Sequence, residues 1–178
     1  MKTGSHAFLL GLGGNLGDRA GFIEKAMEGL KKLPRAEITG ISEAFETDPV
    51  GYEAQGLFLN ICLSITCELE PASFLAACLG LETQLGRVRT IKDGPRTIDI
   101  DVLFYRGGAV NRPELTLPHP RWRERGFVVF PLRHLLQAPA LAKDSGWDWL
   151  RAEVAALSLD GSGLRAWQGS TPWKHPSS

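Results

Sequence analysis

Leu57-Phe58-Leu59-Asn60-Ile61-Cys62-Leu63-Ser64-Ile65-Thr66-Cys67 alternates aliphatic residues with smaller, aromatic or polar ones along its whole length. Side chains of a strand point alternately to its two faces, so Leu57, Leu59, Ile61, Leu63 and Ile65 share one side. Phe58, Asn60, Cys62, Ser64 and Thr66 share the other. A strand with one wholly aliphatic face needs a layer packed against it, and the flanking segments say which layer.

Upstream, Ala7-Phe8-Leu9-Leu10-Gly11-Leu12 is a short apolar run closed by glycines and reads as a buried strand. Asp18 stands where it can cap a helix over about 19–33, with Phe22, Ile23, Ala26, Met27 and Leu30 on one face and Pro34 as a stop. Residues 36–47 read as a second strand weakened by Gly40. Asp48–Gly56 is a loop by its proline and two glycines. Downstream of the 57–67 strand, Pro71 opens a helix to about Leu85, closed by Gly86. Residues 97–105 form another strand. The order βαββαβ predicts an α+β, ferredoxin-like sandwich with two helices on one sheet face. Beyond residue 105 come extra C-terminal strand and helix elements: extended pieces at 109–111 and 114–120, one or two helical turns within 121–136, and a short helix at about 147–157. One domain over residues 1–167 is expected, with a poorly ordered tail at 168–178, where Gly, Ser and Pro accumulate. Trp147 and Trp149 are expected in the core.

The chain has 178 residues, and its 20 Lys+Arg balance its 20 Asp+Glu. A chain of this size buries about 70% of its unfolded surface, enough for a core without cross-links. Neutrality argues against a general nucleic-acid binder. Cys62, Cys67 and Cys78 form no CxxC pair, which argues against structural zinc or a disulfide framework and suits a reducing compartment. No apolar run is long enough to cross a membrane, and the N-terminal one is short and broken by glycine, unlike a signal peptide. A cytoplasmic protein without membrane or nucleic-acid partners is expected, monomeric in preference to oligomeric.

Four groups of residues point to chemistry. In Thr97-Ile98-Asp99-Ile100-Asp101-Val102, Asp99 and Asp101 share a strand face while Ile98, Ile100 and Val102 face the core. Adjacent carboxylates repel unless a cation sits between them, and hard oxygen donors without His or Cys suit Mg²⁺. The segment just upstream carries Arg87, Arg89, Lys92 and Arg96, cations that match phosphate oxygens. Pro118-His119-Pro120, followed by Arg121, Arg123 and Arg125, offers a second phosphate-facing wall. Phe58 and Asn60 lie on the strand face away from the helices. If Asp99 and Asp101 share it, an aromatic ring and an amide flank a carboxylate pair, which suits a flat heterocycle beside a metal–polyphosphate. Gly11-Leu12-Gly13-Gly14-Asn15-Leu16-Gly17-Asp18 lacks GK[ST], so it is no P-loop. On these residues alone a Mg²⁺-dependent phosphoesterase or nuclease remains possible. So does an RNA-binding module of the same strand order, though that would need aromatics where the two aspartates stand.

Five collinear blocks then carry a resemblance: LGGNLGDR, TDPVGYEAQGLFLN, GRVR, GPRTIDIDVLFY and LPHPRWRERGFVVFPL, from about Phe8 to Leu135. They resemble the 6-hydroxymethyl-7,8-dihydropterin pyrophosphokinases of folate synthesis. The resemblance implies the ferredoxin-like fold and Mg²⁺-dependent transfer of pyrophosphate from ATP to the pterin hydroxymethyl group, leaving AMP. It implies two Mg²⁺ ions at Asp99 and Asp101. Arg87 and Arg96 join those aspartates as catalytic positions, and Arg89, Lys92, Arg96, Ile100, Thr116, His119 and Arg125 match ATP contacts. Thr47, Pro49, Val50, Phe58, Asn60, Asp99 and Phe127 match pterin-pocket positions, and Glu82 matches a supporting acid of the second helix. Asp93 stands where some members carry Trp, and Pro120 where some carry an aromatic residue.

The zero net charge hides a segregation. Four cations and Asp93 leave residues 87–96 at +3, and three arginines and Glu124 leave 119–125 at +2, so the remainder is −5.

Overall fold

A computed structural model describes residues 4–88, 93–174 and 176 of the chain. Strand β1 (His6–Gly14) leads into helix α1 (Arg19–Leu30), whose start is fixed by Asp18 accepting from the Gly21 N–H at 2.9 Å. Strands β2 (Glu37–Ile41) and β3 (Phe45–Thr47) follow, then the long β4 (Phe58–Cys67). Helix α2 (Pro71–Gln84) opens on proline, which needs no N–H there, and β5 (Asp99–Tyr105) completes the central set. A small hairpin, β6 (Val110–Arg112) with β7 (Leu115–Leu117), precedes helices α3 (Gly126–Leu135), α4 (Pro139–Ala142) and α5 (Asp148–Ala156), and a last strand β8 (Leu164–Ala166).

The main sheet runs β5-β1-β4-β3-β8, with β2 also on β4, and every pairing in it is antiparallel. The expected 36–47 strand is thus two strands on one partner. A register shift between Ile38 and Gly40 bends it. At the break, the Ser42 hydroxyl accepts from the Cys62 N–H at 2.9 Å, where a backbone carbonyl would otherwise serve.

The sheet packs on both sides. Phe8, Leu10 and Leu12 of β1, Leu59, Ile61, Leu63 and Ile65 of β4, and Ile98, Ile100 and Val102 bury against Ile23, Met27 and Leu30 of α1 and Phe74 and Cys78 of α2. Phe8 and Phe74 stack at 4.2 Å between ring centres. The opposite face is covered at one end only. There Leu9, Cys62, Leu103 and Phe104 meet Val128, Val129, Leu132 and Leu135 of α3, with Leu150 and Val154 of α5. At the other end the strands present Gly13, Asn60 and Asp99 in place of large apolar residues, and the cleft opens beside them.

Several expectations change. The first helix ends at Leu30, four residues before Pro34, in a turn that carries Arg35 at φ 48°. The 121–136 segment holds a ten-residue helix with Pro131 inside it, not one or two turns. Residues 168–174 contain no helix or strand, but Trp173 is 6% exposed against the α1/α2-side core, so this end packs on the domain. Trp147 is buried as expected, and Trp149 is exposed. The three cysteines are free and buried. Among the described residues no helix is long and apolar enough to cross a membrane.

Candidate active site

The three central strands set the floor. Gly13 of β1 stands opposite Asn60 of β4 on one side and Asp99 of β5 on the other; one step along, Gly11 stands between Cys62 and Asp101. The two glycines share one face, so a shallow trough runs between an amide and two carboxylates. A side chain at Gly13 would drive into Asn60: its Cβ would lie 3.2 Å from the Asn60 Cγ and 3.3 Å from the Leu59 carbonyl oxygen.

Gly11 and Gly13 line a small cavity of about 20 Å³, and beside it opens a cleft of about 800 Å³ that shares Phe58, Asn60, Arg96, Asp99, Asp101 and Phe127 with it. The walls of the cleft include Thr47, Val50, Phe58 and Asn60 on one side, Arg87, Arg96, Asp99, Ile100 and Asp101 across the floor, and Thr116, His119, Arg125 and Phe127 opposite. Pro49, expected among them, does not line it. Arg89 and Lys92 lie outside the described residues.

Glu82, Asp99 and Asp101 are each met by arginine. Arg87 Nη1 lies 2.5 Å from Glu82 Oε1 and also pairs with Asp99. Arg96 Nε approaches Asp99 Oδ2 to 3.1 Å, an ion pair without hydrogen-bond alignment, since that buried Nε has no bonded acceptor. Arg125 Nη1 reaches Asp101 Oδ2 at 3.2 Å. The same two arginines cover the two aromatic rings. The Arg96 guanidinium lies 4.8 Å from the Phe58 ring centre, and that of Arg125 lies 5.5 Å from the Phe127 ring centre.

The electrostatics follow from this crowding. Burial, with the neighbouring Asp99 charge, pushes the Asp101 carboxyl up to about 6, against the pull of Arg125, Arg87 and Arg96. The Asp101 side chain keeps 32% of its exposure, so it is recessed and still reached by water. Glu82, 3% exposed on α2, is raised to about 7 chiefly by burial and further by Asp99, although the Ile100 N–H and Arg87 favour its charged form. Its Oε1 accepts from Ile100 N at 2.7 Å and so ties the helix to the strand that carries both aspartates. His119 is shifted down by burial and by Arg125, which favours neutral imidazole. The backbone N–H of His119 donates to the Leu103 carbonyl at 2.8 Å and holds the residue beside β5. Asn60 Nδ2 donates to Thr47 Oγ1 at 2.8 Å, which orients the amide.

The Gly-rich N-terminal stretch is part of this site, which its reading as a failed P-loop misses. Asn15 Oδ1 accepts from the Arg96 N–H at 2.9 Å, and its Nδ2 donates to Gln55 Oε1 at 2.9 Å and to the Gly56 carbonyl at 3.0 Å. Gln55 in turn donates to the Asp93 carbonyl at 2.9 Å. The available signal was the i, i+2 spacing of Gly11 and Gly13 on the strand face that Asp99 and Asp101 share.

Among the described residues no three His, Cys, Asp or Glu side chains converge as metal ligands. Two carboxylates with room around them fit a hard cation that completes its shell with water and phosphate, and do not fit an all-protein metal cage.

The antiparallel sheet thus carries a cleft with two paired aspartates and a rim of arginines, a donor set that suits a polyphosphate. The sequence model of the 7,8-dihydro-6-hydroxymethylpterin-pyrophosphokinase family matches residues 9–137, and the chain belongs to that family. It is 35% identical over 159 residues to the 2-amino-4-hydroxy-6-hydroxymethyldihydropteridine pyrophosphokinase of Bacillus subtilis, covering 89% of each chain. It is 43% identical over 152 residues to the enzyme of that name from Methylorubrum extorquens, covering 85% of this chain and 94% of the relative. Among solved structures, a variant of Plasmodium falciparum HPPK-DHPS, with pterin and p-hydroxybenzoate, superposes with a TM-score of 0.62 at 12% identity. That superposition covers 92% of this chain and 47% of that one, and at such identity it bears on the fold alone.

Proposed function

We propose that this chain transfers pyrophosphate from ATP to the hydroxymethyl group of 6-hydroxymethyl-7,8-dihydropterin, using Mg²⁺ held at Asp99 and Asp101. One observation carries the reading: Asn60 and Asp99 flank Gly13 on the floor, with Phe58 beside it and arginines above it. A flat bicycle fits the Asn60 side, where the amide can both donate and accept. A triphosphate fits the carboxylate side, where Arg87, Arg96, Arg125 and His119 line the wall. Leu75, Leu79, Ile100 and Leu115 give that side an apolar end for the adenine. The sheet order and the placement of α1 and α2 support the ferredoxin-like assignment, with α3, α5 and β8 as additions to one pyrophosphokinase domain.

In the reaction, the pterin hydroxyl oxygen bonds to the β-phosphorus as the bond from that phosphorus to the oxygen of the α-phosphate breaks. AMP departs with the electron pair, and one proton is released. Two Mg²⁺ ions would supply the charge compensation that lets a polyphosphate approach two aspartates. The chain's own task is positioning. Asn60, fixed by Thr47, orients the bicycle; Phe58 and Phe127 offer ring faces to it. Arg87, held by Glu82, stands beside Asp99 to meet phosphate charge. Arg96 and Arg125 leave the carboxylates they pair with and turn to phosphate oxygens.

The test is AMP formation from ATP, Mg²⁺ and the reduced pterin. Activity that requires all three and disappears with EDTA supports the reading. Release of phosphate or nucleotide without pterin would point instead to a phosphoesterase.

A further inference from the structure

Residues 48–57 run along the rim of the cleft, with Asp48, Val50 and Gly51 in its wall. They form no helix or strand, yet both ends are fastened. At the far end, Arg19 Nη1, on the first residue of α1, donates to the Leu57 carbonyl at 2.9 Å. The same guanidinium pairs through Nη2 with Glu46 of β3 at 2.8 Å and lies 5.0 Å from the Trp167 ring centre. At the near end, the Asp48 N–H donates to the Gly163 carbonyl at 2.8 Å, and Arg165 Nη2 reaches Asp48 Oδ1 at 2.5 Å. Gly163 has φ 72°, and a side chain there would press on Asp48, so the backbone approaches as only glycine allows. Strand β8 continues the grip: Leu164 stands opposite Thr47 and Arg165 opposite Glu46, and the Trp167 N–H donates to the Ala44 carbonyl at 2.9 Å.

The C-terminal segment, which lies beyond the family match, is therefore built onto the strand that holds Thr47, the orienter of Asn60. We propose that Arg19 and the β8 segment form a brace that fixes the 48–57 rim, making Arg19 and Arg165 positioning residues for pterin binding. This rests on the reading that the Thr47–Asn60 side takes the pterin. Arg19 carries most of the effect, because one half-buried guanidinium holds a carbonyl, a carboxylate and an aromatic face at once. The Arg165–Asp48 pair contributes less, since its side chains are 47% and 55% exposed.

The test uses the full chain with Arg19→Ala, Arg19→Lys, Arg165→Ala and the reference Asn60→Ala. It reads hydrogen exchange of residues 48–57 and separate titrations of 6-hydroxymethyl-7,8-dihydropterin and of ATP with Mg²⁺. Arg19→Ala is expected to speed exchange in 48–57 and to weaken pterin about tenfold, with ATP affinity within about twofold. Arg19→Lys recovers part of this, and the surface variant Arg165→Ala, which leaves the core intact, weakens pterin about two- to fivefold. Unchanged exchange in Arg19→Ala, or equal losses for ATP and pterin, overturns the brace. If Asn60→Ala weakens pterin and neither arginine variant does, the brace alone fails. If none of the variants weakens pterin, the assignment of that side to the pterin fails with it.

Discussion

The Arg96 guanidinium lies 4.8 Å from the centre of the Phe58 ring. It therefore covers the aromatic face on which a flat substrate would stack, while its Nε, 3.1 Å from Asp99, has no aligned acceptor. Arg125 likewise spans a ring and a carboxylate, Phe127 and Asp101, here with an aligned hydrogen bond to Asp101. Two arginines thus bridge the carboxylates to the rings. Each guanidinium is also held by one hydrogen bond, from Arg96 Nη1 to the Gly94 carbonyl at 3.1 Å and from Arg125 Nη1 to Asp101 Oδ2 at 3.2 Å.

From this placement, Arg96→Ala should lower kcat/KM by about 10²- to 10³-fold, the usual loss when a preorganised donor to developing charge is removed. Arg96→Lys should recover little, because an ammonium cannot reproduce the planar fork. Steady-state AMP formation with circular dichroism as a fold control checks it; near-normal turnover in Arg96→Lys would show that charge alone suffices.

Asp101 gives a pH signature. Its carboxyl is raised to about 6, above the unfolded value, so the ligand-free native state binds the extra proton. Its contribution is then favourable below about pH 4 and is lost as pH rises through about 6. With allowance for its partial exposure, Asp101→Asn should be more stable than the parent by on the order of 1 kcal/mol at pH 7.5, with the gap closing by about pH 4. Mg²⁺ should stabilise the parent and not the variant, and its affinity for the parent should fall as pH drops through about 6, since proton and metal compete for one carboxylate. Thermal melts against pH, with and without Mg²⁺, read both effects. A gap that does not vary with pH would refute the assignment. Asp101→Ala should also abolish Mg²⁺-dependent AMP formation while the fold survives.

Thr47 should matter through Asn60. Thr47→Val keeps the side-chain shape but leaves the buried Asn60 Nδ2 without its 2.8 Å acceptor. The expected cost is about 1–2 kcal/mol of stability, from an unsatisfied buried donor. The pterin KM should rise several-fold while the ATP KM holds, and Asn60→Ala should weaken pterin further. Equal rises in both KM values would mean that the amide does not serve the pterin side.

The parts of the fold legible in the residues are those whose own pattern demands them. Alternation along 57–67 placed Asn60 and Phe58 on one face, and the apolar positions 98, 100 and 102 forced Asp99 and Asp101 onto that same face. Strand β8 was not legible, because Leu164–Ala166 is three residues long and exists only because the β3 edge is there to pair with it. A proline inside a helical pattern reads as a break, yet α3 runs through Pro131. In the structure it is buried within the helix, where packing against the far-face core outweighs one lost hydrogen bond. Asn15 was missed because its partners, Arg96 and Gln55, are remote in sequence and meet it only when β1 enters the sheet between β4 and β5.

The floor itself supplies the sharpest contrast, because Gly11 and Gly13 lie two residues apart on the same strand face and differ in what stands above them. A methyl at Gly11 would meet Leu103 Cδ1 at 3.4 Å, an ordinary contact with an aliphatic side chain. A methyl at Gly13 would press into the Asn60 amide, which Thr47 and the strand hold in place. Gly11→Ala should therefore leave activity within about twofold and stability within about 0.5 kcal/mol, the range for changes that disturb no special feature. Gly13→Ala should displace Asn60 and cost about 1–3 kcal/mol of stability, as overpacking does. It should also weaken pterin binding by at least about tenfold, equivalent to 1.4 kcal/mol, with the ATP KM close to normal. Parallel melts and pterin titrations of the two variants decide the matter. If both alanines bind pterin alike, the trough between Asn60 and Asp99 is not where the bicycle lies.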